Sequence, residues 1–193
     1  MFKLSVKMKT TVTTVFWVVL LGLSILSAQA QKYGENTKIQ HRHSIDIFPF
    51  APLIDIYGIH YIYQLTPKDE LITGLSYMSI KKKSGITHSP ALILGYRRYL
   101  WKNLHIEYEL WPCYDDFWES TEKRYYSGFD LWNEFRVGYR FDFNVKGLPL
   151  YANVQWPFGF GLYSSNKPES FVQEVKEAPY FYHIPMLFVG VRF

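Results

Sequence analysis

The chain has 193 residues, enough for one domain of ordinary size, of which 48% are hydrophobic, 20% charged and 19% aromatic. Sixteen Tyr, fifteen Phe and six Trp favour β-strands and lipid–water interfaces, and this composition excludes coiled-coil, collagen-like and low-complexity proteins. The formal net charge is +4, and the single cysteine, Cys113, excludes an internal disulfide framework and a cysteine-rich zinc site.

The first 30 residues have the three parts of a secretory signal peptide. Lys3, Lys7 and Lys9 precede an apolar run over residues 15–26, and a small-residue stretch ending at Ala30 follows it. We predict cleavage before Gln31, because a run this short does not comfortably span a bilayer. A start at Met8 would leave the same mature chain.

Removal of this peptide changes the charge of the protein. Taking three of the 21 basic residues away leaves 18 against 17 acidic residues, a formal charge of +1. The apparent basicity therefore belongs mostly to the export signal, and the sequence does not predict nucleic-acid binding.

The mature chain alternates between apolar and polar residues with the period of two that is typical of β-strands. The clearest segment is 131–143, where Phe135, Val137 and Tyr139 alternate with Arg136 and Arg140. We find no convincing helical period after Gln31. The eight alternating segments are 44–50, 53–65, 71–80, 91–101, 104–113, 131–143, 150–162 and 182–193. They predict an all-β fold, an eight-stranded antiparallel transmembrane β-barrel.

The predicted connections alternate in length along the chain. Residues 66–70, 102–103 and 144–149 form short links, whereas 81–90, 114–130 and 163–181 form longer ones, apart from a tight first loop near Ala51. Outer-membrane barrels have this asymmetry, with short periplasmic turns and longer external loops. The prediction divides the chain into a signal peptide (1–30), an N-terminal periplasmic segment (31–43) and the barrel (44–193).

The last eight residues, MLFVGVRF, carry a resemblance to a known class. They resemble the C-terminal strand of bacterial outer-membrane β-barrels, and the chain is similar in pattern to the small eight-stranded members. The resemblance implies that Phe193 belongs to the signal read by the barrel-assembly machinery. It also implies location in a Gram-negative outer membrane, in contact with its lipid and lipopolysaccharide.

The polar face of the strands would fill the lumen of such a barrel. Its charges are nearly balanced, and we expect them to form a plug of ion pairs, since an isolated buried ion costs several kcal/mol. An eight-stranded interior is just filled by side chains, so we expect no wide pore. The predicted lumen network consists of Asp46, His60, Arg97, His105, Glu107, Glu109, Glu134, Arg136, Arg140, Asp142 and Arg192.

A catalytic alternative depends on three residues. Some small outer-membrane barrels modify lipid A through a His and a Ser, as acyltransferases or deacylases, and here His88, Ser89 and Asp55 are the candidates. Adjacent strand residues point to opposite faces, so His88 and Ser89 do not form a nucleophile–base pair by themselves. The sequence therefore favours a protein that is not an enzyme.

Three other features of the sequence each allow both a functional interpretation and a simpler one. His41 and His43 could contribute to a metal site, but two imidazoles without a third ligand favour a plain periplasmic tail, and no cofactor is expected. The predicted loop 114–130 mixes carboxylates with aromatic residues, which suits an external ligand of unidentified class. Cys113 is most simply a small buried residue.

The sequence thus predicts an outer-membrane barrel with a structural or surface-interaction role. The first alternative is the lipid A-modifying enzyme. The second is a soluble, lipocalin-like periplasmic barrel with the apolar face inside, because alternation alone does not say which face is buried.

Overall fold

The computed structural model describes residues 41–182 and 184–193; the predicted signal peptide and most of the predicted periplasmic segment lie outside them. The strands are β1 (His43–Ile47), β2 (Ile56–Thr66), β3 (Asp69–Lys81), β4 (Gly85–Trp101), β5 (Leu104–Glu119), β6 (Arg124–Val145), β7 (Leu148–Ser164), β8 (Tyr180–Phe181) and β9 (Met186–Arg192). Two helices, α1 (Ala51–Ile54) and α2 (Glu169–Glu177), lie between them.

Eight of these strands form one antiparallel sheet that closes into a barrel-like ring. Neighbours along the sheet follow the order β6-β5-β4-β3-β2-β1-β9-β7, and pairing of β6 with β7 completes the ring. The two-residue β8 pairs only with β7, outside this ring. The predicted all-β fold and its count of eight antiparallel strands are confirmed. No helix in the described part of the chain is long and apolar enough to cross a membrane.

The two ends of the ring differ in their connections. At the turn end, residues 67–68, 102–103 and 146–147 link consecutive strands, and His43 exchanges backbone hydrogen bonds of 3.1 and 2.8 Å with Phe193. At the helix end lie the connections 48–55, 82–84, 120–123 and 165–185, which include α1 and α2. The short links of the prediction are therefore all at one end.

Two of the three predicted long loops are wrong. β4 begins at Gly85, and β5 and β6 extend to Glu119 and from Arg124, so the intervening turns contain only residues 82–84 and 120–123. The predicted loops 81–90 and 114–130 are mostly strand, because Asp115, Phe117 and Glu119 continue the alternation and are buried inside the ring. Only the third loop, here 165–185, is long.

The helices correct the prediction that no helical segment follows Gln31. Helix α2 places apolar residues on one side, where Phe171 is buried against Phe117 with ring centroids 4.9 Å apart. The short α1 ends at Ile54, and its C-cap residue Asp55 has the left-handed φ of 56° that Asp tolerates. Both helices lie at the helix end of the ring.

The polar face of the sheet is inside the ring and the apolar face is outside. Along β6, Glu134, Arg136 and Arg140 are buried, whereas Phe135 and Val137 are 49% and 56% exposed. The same inversion holds along β5, where Glu107 and Glu109 are buried and Ile106 is exposed. This ring is therefore the reverse of a soluble β-barrel, whose core is apolar.

A side chain from a third strand, β7, stabilises the pairing of the first and last strands, β1 and β9. The phenol of Tyr151 on β7 passes over Gly190 of β9 and donates a hydrogen bond of 3.0 Å to Asp46 Oδ2 on β1. A Cβ at residue 190 would lie 2.3 Å from Tyr151 Cζ, so only glycine leaves room for this crossing.

Candidate functional site

The inward-facing charges near the turn end form one network, which we call the central cluster. It contains all eleven residues of the predicted lumen network and one further carboxylate, Glu70. Strand alternation positions them, because each is an inward residue of β1–β6 or β9. Ten of the twelve are buried, and Asp142 and Arg192 are half-buried.

Arg136 connects three carboxylates in the middle of the central cluster. Its guanidinium nitrogens lie 2.9 Å from Glu107 Oε1, 2.8 Å from Glu109 Oε2 and 3.3 Å from Glu134 Oε1. The side chain is fully enclosed. The planar fork of donors suits arginine to such multiple pairing, which a lysine could not reproduce.

Glu70 joins the other two buried guanidinium groups. Its two oxygens lie 2.8 Å from Arg97 Nη1 and 2.7 Å from Arg140 Nη1, and Arg97 also pairs with Glu107. The sequence analysis missed Glu70 because it assigned residues 66–70 to a turn. Its position one residue before a predicted strand, in phase with the polar face, was the available signal.

The histidines occupy the same network. His60 Nδ1 lies 2.9 Å from Asp46 Oδ1, and its Nε2 lies 3.8 Å from Glu109 Oε1. That Glu109 oxygen has no hydrogen-bond partner among the described residues. His105 contacts Gln155 at 3.3 Å, and Gln155 donates a 2.9 Å hydrogen bond to Glu107.

A cluster of apolar side chains also lies inside the ring, and two of its members contact the central cluster: Trp111 donates a hydrogen bond to Glu109 and Tyr151 donates one to Asp46. Trp132 and Met78 pack against this apolar cluster. Its buried members are Ile62, Ile72, Ala91, Ile93, Trp111, Cys113 and Tyr151. Cys113 is a small buried residue, and its thiol contacts the Asp130 carbonyl at 3.4 Å.

A second group of charges, the helix-end cluster, lies toward the helix end of β5 and β6. The Lys167 ammonium pairs with Asp115 and lies 3.1 Å from Asp130 Oδ2, although it belongs to the long connection 165–185. Ser89 donates to Asp115, and Ser164 donates a 2.8 Å hydrogen bond to Asp130. The sequence analysis missed this cluster because all of its residues fall in the predicted loops 81–90, 114–130 and 163–181.

Helix α2 covers the helix-end cluster and is held by several polar contacts. The Glu174 carboxylate accepts hydrogen bonds of 3.0 and 3.1 Å from the backbone N–H groups of Lys83 and Ser84, and one of 2.8 Å from the Ser84 hydroxyl. Ser170 donates to Glu119 at 3.2 Å. The Lys82 and Lys167 ammonium groups lie 4.9 and 5.2 Å from the centre of the Phe171 ring.

These contacts determine the ionisation of two groups at the helix end. Burial alone would raise the pKa of Glu174, but the hydrogen bonds from Lys83 and Ser84 outweigh it and lower the pKa. Burial lowers the pKa of Lys82, with neighbouring carboxylates acting in the opposite direction. The charged form of Glu174 is thus the one that holds α2 against the turn 82–84.

The structure separates the three predicted catalytic candidates. His88 faces outward and contacts Tyr77, Ser89 faces inward and donates to Asp115, and Asp55 accepts a backbone hydrogen bond from Ser79 through its carbonyl group. His88 and Ser89 lie on opposite faces of β4, as alternation requires. These contacts do not assemble the candidates into a nucleophile–base–acid arrangement.

The histidines considered for metal binding have other surroundings. His43 is the first residue of β1, and its Nδ1 lies 2.6 Å from the Tyr61 hydroxyl. No group of three or more His, Cys, Asp or Glu residues is placed to hold a metal ion within residues 41–182 and 184–193.

The described interior thus contains two charged clusters and a cluster of apolar side chains. Such an arrangement fixes the inward side chains through paired charges. What it can do chemically is hold the ring rigid. No family model, curated protein or solved structure matches the chain, so the geometry alone carries the functional argument.

Proposed function

We propose that the protein is a closed β-barrel of a bacterial outer membrane, with a structural or surface-interaction role carried by its helix end. The observation that carries this proposal is the inversion of the two faces. Charged residues are buried in ion pairs inside the ring, while large apolar residues cover its outside.

The outward face has the character that lipid requires. Exposed leucines, valines and aromatic residues lie along the outward face of the long strands; examples are Leu75, Leu92, Val137 and Trp156. A contiguous apolar surface of this extent is rare on proteins that remain in water, and it matches the lipid-facing band of outer-membrane barrels. The lipocalin-like alternative requires an apolar interior and is disfavoured by the same observation.

The lengths of six of the eight ring strands support this proposal. β2–β7 contain 11 to 22 residues, and a tilted strand needs about 9–11 residues to cross the hydrocarbon core, whereas β1 and β9 contain only five and seven. The β5–β6 hairpin therefore rises beyond the band and carries Tyr125, 61% exposed, near its tip. That hairpin and α2 are the surfaces that a partner or a glycan outside the membrane would meet.

The first experiment compares boiled and unboiled samples of the outer-membrane fraction on a denaturing gel. A closed barrel in that fraction resists unfolding by detergent and migrates faster before boiling. Recovery of the protein in the soluble periplasm without such a shift would contradict the proposal.

A pair of charge substitutions tests the lipid contact directly. Val137→Lys places an ammonium group within the proposed lipid-facing band and should destabilise the vesicle-inserted protein by about 2–4 kcal/mol. Tyr125→Lys, on the hairpin tip, is the control and should change the stability much less. Urea titration of the protein folded in phospholipid vesicles measures the stability of both variants. An equally small loss of stability in both would mean that residue 137 is in water, as residue 125 is, and would contradict the proposal.

A further inference from the structure

The outward face carries one row of polar residues at the border of its apolar surface. We call Tyr77, Ser79, His88, Asp116 and Ser127 the outward row. Ser79 and His88 are directly opposite in the β3–β4 register, His88 and Asp116 in the β4–β5 register, and Asp116 and Ser127 in the β5–β6 register. Directly opposite residues share a face, with Cβ atoms about 4.5–5.5 Å apart.

His88 is the central group of this row. Its Nδ1 lies 3.4 Å from the Ser79 hydroxyl and 3.0 Å from the Tyr77 hydroxyl, and its ring is stacked with the Tyr77 ring. Asp116 occupies the neighbouring position on the other side of His88, and Ser127 donates a hydrogen bond to it. The row thus places a hydroxyl, an imidazole and a carboxylate in consecutive positions.

We propose that Ser79 and His88 form a hydrolytic site for esters with a long acyl chain. A serine becomes nucleophilic when a histidine within reach accepts its proton, and that distance is often longer than a normal hydrogen bond in the absence of substrate. The residues differ from the candidates that the sequence suggested, since alternation pairs His88 with Ser79 rather than with Ser89.

The surroundings of the row indicate the class of substrate. Leu75 and Leu92 are exposed on the same strands, on the side of the row that faces the turn end. An acyl chain lying on this surface would bring its ester group to Ser79. If the ring is in an outer membrane as proposed above, lipid acyl chains lie along this surface.

The reaction balances without an additional reagent. Ser79 Oγ attacks the ester carbonyl carbon while His88 Nδ1 accepts the hydroxyl proton. The Tyr77 hydroxyl, which lies 3.0 Å from the same Nδ1, is displaced by that proton and donates a hydrogen bond to the resulting oxyanion. The alcohol leaves with the proton from His88. A water molecule, activated by His88, then attacks the acyl-serine bond and releases the carboxylic acid and free Ser79.

The test uses the full mature chain folded in detergent, with a fluorophosphonate probe and 4-nitrophenyl octanoate. We expect the probe to label Ser79, as located by peptide mass, and we expect Ser79→Ala to abolish labelling. Ser79→Ala and His88→Ala should each lower ester hydrolysis by about 10²-fold or more.

Ser89→Ala is the matched control, because Ser89 adjoins His88 in sequence but faces the interior. It should retain the parent rate and the parent labelling, and a gel shift on boiling confirms that each variant is folded. A parent protein that neither labels nor hydrolyses the ester, or activity that persists in Ser79→Ala, would overturn the proposal.

Discussion

The central cluster and the helix-end cluster use the same chemistry, buried carboxylates paired with basic side chains, but they differ in what carries the partners. Every charge of the central cluster is on a strand of the ring. In the helix-end cluster the two carboxylates are on strands, whereas Lys167 is on the connection 165–185. The first cluster can open only if the ring opens, while the second can open by movement of one connection.

The central cluster should show the largest effect when a partner is removed. Arg136→Met leaves Glu107, Glu109 and Glu134 without their shared cation and should lower the free energy of unfolding by about 3–5 kcal/mol. Equilibrium urea unfolding measures this change. The control is Arg124→Met, whose pair with Glu122 at the hairpin tip is exposed and should contribute only about 0–1 kcal/mol. Similar losses in both variants would refute a special role for burial.

Removal of the cation from the helix-end cluster should have a smaller and more local effect. Lys167→Met leaves Asp115 and Asp130 unpaired, but water can reach them when the connection lifts, so we expect a loss of about 1–3 kcal/mol. Hydrogen exchange should increase in residues 165–178 and remain unchanged in β5 and β6. Lys176→Met, on the exposed side of α2, is the control. Faster exchange throughout the ring would mean that the two clusters are not independent.

The smallest effect should come from the contact between α2 and the 82–84 turn. The pKa of Glu174 is lowered from its usual 4.5, so its contribution is fully present above that value and is lost as the pH falls through the lower pKa of the folded protein. Amide exchange at Lys83 and Ser84, corrected for its intrinsic pH dependence, should become faster in that range. Glu174→Gln should remove the pH dependence, whereas Glu177→Gln, whose carboxylate is 3.6 Å from Lys83 and exposed, should retain it.

The strands could be predicted because each side chain on a strand of a closed ring points either into the ring or out of it. Alternation along 104–113 and 131–143 therefore identified both the strands and the set of charged residues that share one face, including Glu107 and Arg136. It could not say which face is inside, and the structure was needed for that. Alternation did not predict that β4 and β5 extend to Gly85 and Glu119, because Pro90 and the pair Asp115–Asp116 are typical of loops. In the structure β4 continues through Pro90, which pairs with Tyr77.

The remaining parts of the two sites depend on contacts that no local pattern encodes. Lys167 reaches Asp115 across 52 positions, and its partners depend on how the connection 165–185 folds back over the ring. The outward row likewise depends on register, since Ser79 meets His88 only because the 82–84 turn aligns β3 and β4. Periodicity gives the face of a residue but not its neighbour on the next strand.

The joint between the first and last strands has a consequence for how the chain assembles. Four residue pairs join β1 to β9, against sixteen between β5 and β6, and they connect the two extremes of the described chain. Consecutive hairpins close short loops, whereas this joint carries the largest loss of chain entropy for the fewest pairs. Since β9 also pairs with β7, its seven residues cover two strand edges at once. Until those residues are in place, the sheet remains open with both edges available to any other strand, so pairing of β9 is the step that protects the molecule from self-association.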